Sequence, residues 1–230
     1  MINQTASLTW RDTDAGRVPV SEQFDDPYYS LIGGLYETQH VFIAGNRLPY
    51  RFGAALHVAE LGFGTGLNLL VTWDAWAKAG SRAPLRFTSF EAFPMAKPDM
   101  AAALTAFPQI APLAKIMLDR WDVSAGPVEL VDGLTLEVII GDARETVPAW
   151  DGAADAWYLD GFSPAKNPAL WEPALLAQVA KHTAPNGTAA TYSAAGHVRQ
   201  SLTAAGFDVS RVQGFGRKRH MTVARLADGK

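Results

Sequence analysis

The sequence of 230 residues predicts an α/β protein with a mostly parallel β-sheet, and three observations support this fold class. From residue 57 onward, short apolar runs alternate with amphipathic segments, as in parallel strands that are joined by helices. A glycine-rich turn at 62–66 separates the first apolar run from the first amphipathic segment. The last two apolar runs follow one another without a helix, which predicts an antiparallel edge at the C-terminal end of the sheet.

Residues 1–56 do not follow this alternation, and we expect them to form a small β-rich extension packed on a core at 57–230. The segments 8–10 and 18–20 flank a polar stretch and predict a β-hairpin. No linker rich in proline or serine separates the extension from the core. Aromatic stretches rich in turn residues, predicted to be loops, follow at 24–30 and 33–40.

The elements of the core are predicted in chain order from their periodicity and from the turn residues between them. Strands are predicted at 57–61, 85–91, 128–131, 135–140, 156–160, 188–192, 209–212 and 221–226. Helices are predicted at 67–73, 95–104, 110–121, 169–183 and 198–205. Pro98 and Pro112 lie near helix starts, where proline is tolerated. Asp132-Gly133 predicts a tight hairpin, and the Pro-Asn-Gly run at 185–187 is expected to end the helix before it.

The turn after the first core strand carries an acid, Glu60, followed by glycines at every second position, Gly62, Gly64 and Gly66. Glycine lets the backbone turn tightly and come close to a ligand. The dinucleotide fingerprint G-x-G-x-x-G needs glycine at position 67, where this chain has Leu67. The pattern therefore favours S-adenosylmethionine (SAM) over a nicotinamide cofactor, with a turn that binds nothing as the alternative.

Further acids end the neighbouring strands, at the sheet edge where such folds bind ligands. Glu91 has two oxygens that can accept both ribose hydroxyls of an adenosine. Asp142 is expected to bind the adenine amino group or to cap the following helix, and the two roles do not exclude each other. Glu60 is expected to contact the methionine amino group, directly or through a water, or to pair with a nearby backbone donor. Asp160 ends the next strand. The candidate cofactor-binding residues are Glu60, Gly62, Phe63, Gly64, Thr65, Gly66, Asn68, Glu91, Asp142 and Asp160.

The loop at 160–168 combines a carboxylate, an aromatic ring, a lysine and an amide with two prolines and a glycine that stiffen it. A stiff polar loop at this edge favours contact with a substrate, and a structural turn capped by Asp160 is the alternative.

Composition excludes several classes of protein. The chain has no cysteine, which excludes a disulfide scaffold, a thiolate metal site and a cysteine nucleophile. No apolar run approaches the roughly 18 residues of a membrane span, and the N-terminus lacks the features of a signal peptide. We therefore expect a cytoplasmic protein with no membrane or metal partner. Because the net charge is −3, a nucleic-acid partner needs a local patch. The candidate is the run 217–220, with Arg211 and Arg225 nearby in the sequence, and a solvated turn between two strands is the alternative.

Several segments together resemble the methyltransferase domain of the MnmC/MnmD family. The most specific are D-G-F-S-P-A-K-N-P at 160–168 and G-F-G-R-K-R at 214–219, and the resemblance covers nearly the whole chain. The other matching segments are 24–28, 34–38, 60–68, 90–91, Trp171, 193–199 and 205–207.

The resemblance implies a Rossmann-like SAM methyltransferase fold and N-methylation of the 5-aminomethyl group of (2-thio)uridine at the tRNA wobble position. Asp160 is then the candidate catalytic residue that orients the amine and takes its proton. The candidate residues for binding the tRNA anticodon loop are Phe162, Lys166, Asn167, Arg199, Arg217, Lys218 and Arg219. Many members carry a fused FAD-dependent oxidase domain. None follows in this sequence, so we expect a stand-alone methyltransferase whose substrate comes from a separate FAD-dependent enzyme.

Three alternatives remain open from the sequence. A SAM methyltransferase acting on a small-molecule or protein amine would work without tRNA. A non-catalytic nucleotide-binding module would bind SAM without transfer, and a nicotinamide oxidoreductase would bind NADH more tightly than SAM.

Overall fold

The computed structural model describes residues 5–13, 16–30, 33–122 and 126–227. A small N-terminal sheet contains β1 (Leu8–Thr13), β2 (Gly16–Ser21) and β3 (Asp26–Pro27). Strands β1 and β2 pair antiparallel from Leu8 opposite Ser21 to Thr13 opposite Gly16, which confirms the predicted hairpin.

The described residues form a second, eight-stranded sheet at the centre of the protein. Its strands are β4 (Leu56–Leu61), β5 (Leu85–Glu91), β6 (Val128–Val131), β7 (Leu134–Ile140), β8 (Ala154–Leu159), β9 (Thr183–Thr191), β10 (Phe207–Gln213) and β11 (His220–Leu226). They lie in the order β10-β11-β9-β8-β4-β5-β7-β6.

The five central strands, from β9 to β7, run parallel, and the antiparallel C-terminal edge is confirmed. Strand β11 lies between β9 and β10 and is antiparallel to both, so β10 runs in the direction of the central strands. At the opposite edge, β6 pairs antiparallel with β7 through the predicted hairpin. The carboxyl ends of β4, β5, β7 and β8 therefore meet at one edge.

Helices cover both faces of this sheet. They are α1 (Gly34–Thr38), α2 (Leu67–Lys78), α3 (Lys97–Leu104), α4 (Ala111–Arg120), α5 (Ala143–Ala149), α6 (Pro173–Lys181) and α7 (Gly196–Ala204). One hydrophobic cluster includes Leu69, Met100 and Met117 from α2–α4, and the other includes Leu176 and Leu202 from α6 and α7. Side chains alternate along β8, so the buried Tyr158 joins the first cluster and the buried Trp157 the second.

The predicted loop at 33–40 is wrong, because the chain is helical there. Helix α1 continues into a π-helix at Gln39–Ala44, and a 3₁₀ turn follows at Leu48–Tyr50. The Phe42 ring stacks on Tyr158 with centroids 4.9 Å apart, and the buried Asn46 donates its Nδ2 hydrogens to the carbonyls of Phe42 and Trp157. This packing against the sheet outweighs the local turn signals.

The predicted helix at 169–183 forms only over Pro173–Lys181, as α6, and both of its predicted ends are wrong. A 3₁₀ turn at Pro168–Trp171 precedes α6, since Pro173 has no N–H with which to continue a helix from the preceding turn. Thr183 already belongs to β9 and pairs with Ala154. The Pro-Asn-Gly run at 185–187 lies inside β9, where the register with β8 shifts, and does not end a helix.

In the described ranges no single helix is long and apolar enough to cross a membrane. The helical segments Lys97–Leu104 and Pro108–Arg120 are long and apolar enough only when they are taken together, and a bend of 114° separates them.

Candidate active site

The glycine turn between β4 and α2 has the backbone that the sequence predicts. Gly62, Gly64 and Gly66 have φ angles of 85°, 54° and 77°, in the left-handed region that favours glycine. A Cβ at Gly66 would lie 2.8 Å from Met117 Sδ, and one at Gly64 would lie 3.3 Å from the Tyr28 ring. Both the backbone conformation and the close approach of neighbours therefore require glycine at these positions.

The two residues between these glycines face the protein interior. The buried Phe63 ring stacks on Trp121, with centroids 5.0 Å apart and planes 3° apart. Thr65 is also buried. The cofactor contacts of Phe63 and Thr65 stay predictions.

Asn68, at the start of α2, connects three polar residues below the turn. Its Nδ2 donates to Glu60 Oε1 at 2.8 Å and to Asp160 Oδ2 at 2.7 Å, and its Oδ1 accepts from Thr38 Oγ1 at 2.8 Å. The second oxygen of Glu60 accepts from Ser89 Oγ at 2.8 Å. Glu60 is fully buried and both of its oxygens accept hydrogen bonds from side chains, and its contact with the cofactor amino group stays a prediction.

The two carboxyl groups on Asn68 differ in their access to solvent. Burial raises the pKa of Glu60 well above its usual range, and the charge of Asp160 raises it further. Burial also raises the pKa of Asp160 to about 6, against the opposing hydrogen bond from Asn68 and the charge of Lys218. Asp160 is partly exposed. It is therefore the carboxyl of this pair that can meet a ligand.

The other strand-end acids hold the backbone around the turn. Glu91 accepts from the N–H of Gly64 at 2.9 Å and from the N–H of Phe93 at 2.8 Å, one on each oxygen. Each carboxylate oxygen has a second lone pair, which leaves capacity for ribose hydroxyls. Asp142 caps α5 by accepting from the N–H of Arg144 at 2.9 Å, and the Arg144 side chain holds the pKa of Asp142 below its usual value. The capping alternative for Asp142 is thus observed.

An N-terminal segment, residues 24–28, lies across the loop that follows Asp160, and we call it the strap. Phe162 stacks on Phe24 at 4.8 Å and meets Tyr28 edge-on at 5.1 Å. The N–H of Ser163 donates to Asp26 at 2.8 Å. The strap was expected to be a loop beside the core, and its polar anchoring to the site was missed because the partners are more than 130 residues apart.

The strap also contacts Lys166, one of the residues that are predicted to bind the tRNA anticodon loop. Lys166 Nζ lies 2.6 Å from Asp25 Oδ2, so this lysine is already ion-paired. Asn167 is partly exposed at the start of the 3₁₀ turn Pro168–Trp171. Trp171 fixes the loop by donating its indole N–H to the carbonyl of Phe162 at 2.9 Å.

The predicted basic patch forms an exposed turn between β10 and β11, next to this loop. Lys218 Nζ lies 2.8 Å from Glu37 Oε1 and 4.0 Å from the centroid of the Tyr192 ring. The Tyr192 hydroxyl donates to the carbonyl of Gly161 at 2.8 Å, directly after Asp160. Sequence reasoning missed Tyr192 and Glu37, although the resemblance already included the segment 34–38.

The remaining predicted cations lie on the same side. Arg217 and Arg219 are exposed in the turn, and the partly exposed Arg199 lies on α7. Burial and then the charges of Arg211, Arg219 and Arg199 lower the pKa of His220.

These residues fit SAM. The three glycines give the turn the left-handed backbone angles of a tight strand-to-helix connection. Glu91 offers carboxylate oxygens at the end of β5, and Asp160 offers one beside the turn. A doubly wound sheet with this turn at its switch point defines the class of Rossmann-like, SAM-dependent methyltransferases.

A family model described as "S-adenosyl-L-methionine-dependent methyltransferase" matches residues 108–227. The chain belongs to this family, and it is a SAM-dependent methyltransferase.

Similar proteins agree with this assignment. The chain is 45% identical over 232 residues to "tRNA 5-methylaminomethyl-2-thiouridine biosynthesis bifunctional protein MnmC" of Pseudomonas aeruginosa (strain UCBPP-PA14), which covers 95% of this chain and 34% of that protein. It thus spans about a third of the length of the curated relatives it matches. The solved structure of MNMC2 from Aquifex aeolicus, at 28% identity, superposes with a TM-score of 0.79 over 97% of this chain and 72% of that one. A precorrin-6y C5,15-methyltransferase from Geobacter metallireducens, at 10% identity and a TM-score of 0.51, covers 94% of this chain and 97% of its own and shares the fold.

Replacing the buried Glu60 with glutamine is expected to make the protein more stable at neutral pH. The raised pKa of Glu60 means that the folded state keeps a proton that the unfolded state releases above its value of 4.5. This contribution to stability is complete below pH 4.5 and is lost as the pH rises toward the folded-state pKa. The advantage of Glu60→Gln in the free energy of unfolding should therefore grow as the pH rises above 4.5 toward neutral.

Urea unfolding at several pH values measures this difference, and Glu129→Gln, an exposed carboxyl, serves as the control. A stability difference between Glu60→Gln and the parent that does not change with pH would contradict the raised pKa.

Proposed function

We propose that this protein methylates the nitrogen of the 5-aminomethyl group of (2-thio)uridine at the wobble position of tRNA. The observation that carries the proposal is the contact chain from the exposed basic turn to the candidate catalytic carboxylate: Lys218 over Tyr192, and Tyr192 on the carbonyl of Gly161. A negatively charged polymer that binds the turn brings one of its bases to Asp160. The printed name of the 45% identical relative supports the choice of nucleoside.

Within this proposal, the bound cofactor supplies a methyl group that is activated by its sulfonium charge. The chain must then present a neutral amine, because an alkylammonium has no lone pair. Asn68 holds Asp160 Oδ2 and so fixes the plane of the carboxylate toward the site. Asp160 accepts an N–H of the aminomethyl group and takes the proton that the nitrogen must lose. Its pKa of about 6 keeps the carboxyl ionised at neutral pH while making it a better proton acceptor than an ordinary aspartate.

The aromatic residues of the site are suited to an extruded base. Phe162 is held by Phe24 and Tyr28, so its ring has a fixed orientation beside Asp160. The wobble base lies in a single-stranded loop and is accessible for extrusion into a pocket, where stacking and edge contacts hold it. We assign Phe162 to the wall of this pocket and Arg199, Arg217 and Arg219 to the phosphates of the anticodon loop.

The proposal includes an upstream reaction. The relative's name describes a bifunctional protein, of which this chain matches about a third. An FAD-dependent activity that exposes the primary amine would supply the substrate, and the reaction would take place in the cytoplasm where tRNA is modified.

Nucleoside mass spectrometry tests this proposal directly. The protein is incubated with SAM and tRNA that carries 5-aminomethyl-(2-thio)uridine, and the expected result is a gain of one methyl on that nucleoside. tRNA that already carries the methyl group is the matched control. No gain, with SAM binding confirmed by calorimetry, would contradict the tRNA function and direct the search to small-molecule or protein amines.

Replacing Arg217 and Arg219 together with alanine should weaken tRNA binding and reduce its salt dependence. Each phosphate contact on a single strand contributes about 0.7 to the slope of log K against log salt, so the slope should fall by about 1.4. Affinity should therefore drop most at low salt. Lys218 is kept, because it contacts Glu37 and Tyr192.

The matched control for this variant is Lys78→Ala with Lys181→Ala. Both lysines lie in the last turns of helices that follow parallel strands, at the opposite edge of the sheet. Equal slopes for the two double variants would remove the turn from the tRNA interface.

A further inference from the structure

Tyr36 is a large aromatic side chain that the fold leaves in solvent. Tyr36 is 58% exposed, whereas its neighbour on α1, Leu35, is buried in the core. A Cβ built on Gly33 would lie 3.5 Å from Tyr36 Cδ2 and 3.7 Å from Phe215 Cε1. The rings of Tyr36 and Phe215 therefore converge on Gly33, and we call this pair the aromatic platform.

Contacts of Glu37 and His40 with the β10–β11 hairpin fix the position of the aromatic platform. Glu37 bonds Lys218 at 2.8 Å, which joins α1 to the turn between β10 and β11. His40 Nε2 lies 3.0 Å from the carbonyl oxygen of Gln213, and its ring lies 5.9 Å from that of Phe215. A surface that is ordered before binding loses little conformational entropy when a ligand arrives.

Three further cations lie on β10 and on the turn that carries Phe215. Arg211, Arg217 and Arg219 are exposed, and none forms an ion pair with a residue in the described ranges. An exposed ring beside free cations is the combination that binds single-stranded nucleic acid, in which a base stacks on the ring and the cations bind phosphates. A protein partner would need a much larger apolar surface than two rings.

The platform is linked to the candidate catalytic carboxylate through residues already described. Lys218 lies over Tyr192, and Tyr192 bonds the carbonyl of Gly161. When one base is extruded toward Asp160, its neighbour in the strand loses a stacking partner. An exposed ring such as Tyr36, which is joined to this site through Glu37 and Lys218, can replace that lost partner.

We propose that Tyr36, supported by Phe215, is a stacking site for the unpaired base next to the methylated nucleotide. This inference rests on the proposed function, because it assumes an RNA substrate. The stacking site would be a second subsite for a base, separate from the one at Asp160. Tyr36 would then contact the RNA strand and not the nucleoside that is methylated.

The test compares Tyr36→Ala and Tyr36→Trp with the parent, using tRNA that carries 5-aminomethyluridine and the free nucleoside as substrates. Stacking on one aromatic ring corresponds to about a 10- to 100-fold change in affinity. Tyr36→Ala should raise KM for tRNA by this factor with kcat little changed, and its salt slope should equal the parent's because no charge is removed. Tyr36→Trp should restore the parental KM, and the loss should be confined to tRNA.

Tyr50→Ala is the matched control, since Tyr50 is 87% exposed but precedes Arg51, which bonds the start of β8 at the opposite edge. A parental KM for Tyr36→Ala, or equal losses with tRNA and nucleoside, would overturn the inference. If the parent does not methylate tRNA at all, the proposed function fails separately. Binding of a labelled single-stranded RNA then decides, and equal affinity for parent and Tyr36→Ala overturns the stacking site.

Discussion

Replacing Asp160 with asparagine is expected to slow methyl transfer by about 10²–10⁴-fold while SAM affinity changes little. Asparagine keeps the shape of the side chain, and its Oδ1 can still accept from Asn68. What it loses is the negative charge and the ability to take a proton from the amine. Single-turnover rates measure the chemical step, and calorimetry measures SAM binding separately.

The pH dependence of the methyl-transfer rate shows whether the carboxylate of Asp160 takes part in the reaction. Because burial raises the pKa of Asp160 to about 6, the active ionised form predominates above pH 6, and the rate should fall as the pH drops through about 6. Asp160→Asn should lack this acidic limb. Ionisation of the substrate amine adds a limb of its own, which the variant should leave in place.

Asp155→Asn is the matched control, because Asp155 lies near the start of the same strand, β8, and accepts from the N–H of His57 at 2.8 Å. It should transfer methyl at the parental rate. Asp160→Asn with a normal rate, or with an unchanged acidic limb, would show that Asp160 neither orients the amine nor accepts its proton.

The second large effect is expected for Gly66→Ala, which should destabilise the protein by about 2–5 kcal/mol and weaken SAM binding. The left-handed backbone at φ 77° costs a residue with a Cβ about 1–2 kcal/mol. The new methyl group would also meet Met117 Sδ at 2.8 Å and Phe63 Cζ at 3.1 Å, and overpacking of this kind costs about 1–3 kcal/mol. To accommodate the methyl group, either the glycine turn or helix α4, which carries Met117, must move.

Gly80→Ala separates the two causes. Gly80 has a similar φ of 65°, but a Cβ there meets nothing within 4 Å. It should lose only the backbone contribution, about 1–2 kcal/mol, and keep its SAM affinity. Thermal unfolding and SAM titration of both variants provide the comparison. Equal stability losses would mean that close packing against Met117 does not constrain the turn.

Local sequence determined the strand–turn–helix unit of the cofactor site. The three alternating glycines specify backbone angles that other residues rarely adopt. The acids Glu60, Glu91, Asp142 and Asp160 lie at or just after the ends of short apolar runs, whose length and flanking turn residues favour buried strands over helices. Because parallel strands end at one edge, these positions also predicted that the acids would gather there. The order of β10 and β11 did not follow from periodicity, since it depends on which strand β11 pairs with.

Only the tertiary structure decided what each polar group does. Glu60 and Asp160 look alike in sequence, yet Glu60 is sealed under Asn68 and Ser89 while Asp160 reaches the surface. Helix α1 was missed because it is short and is stabilised by packing on the sheet. Its Glu37 meets Lys218 across 181 residues. Periodicity indicates which face of one segment is buried, whereas these contacts depend on how distant segments pack against each other. The sequence therefore predicted where the site lies but not which side chains contact one another within it.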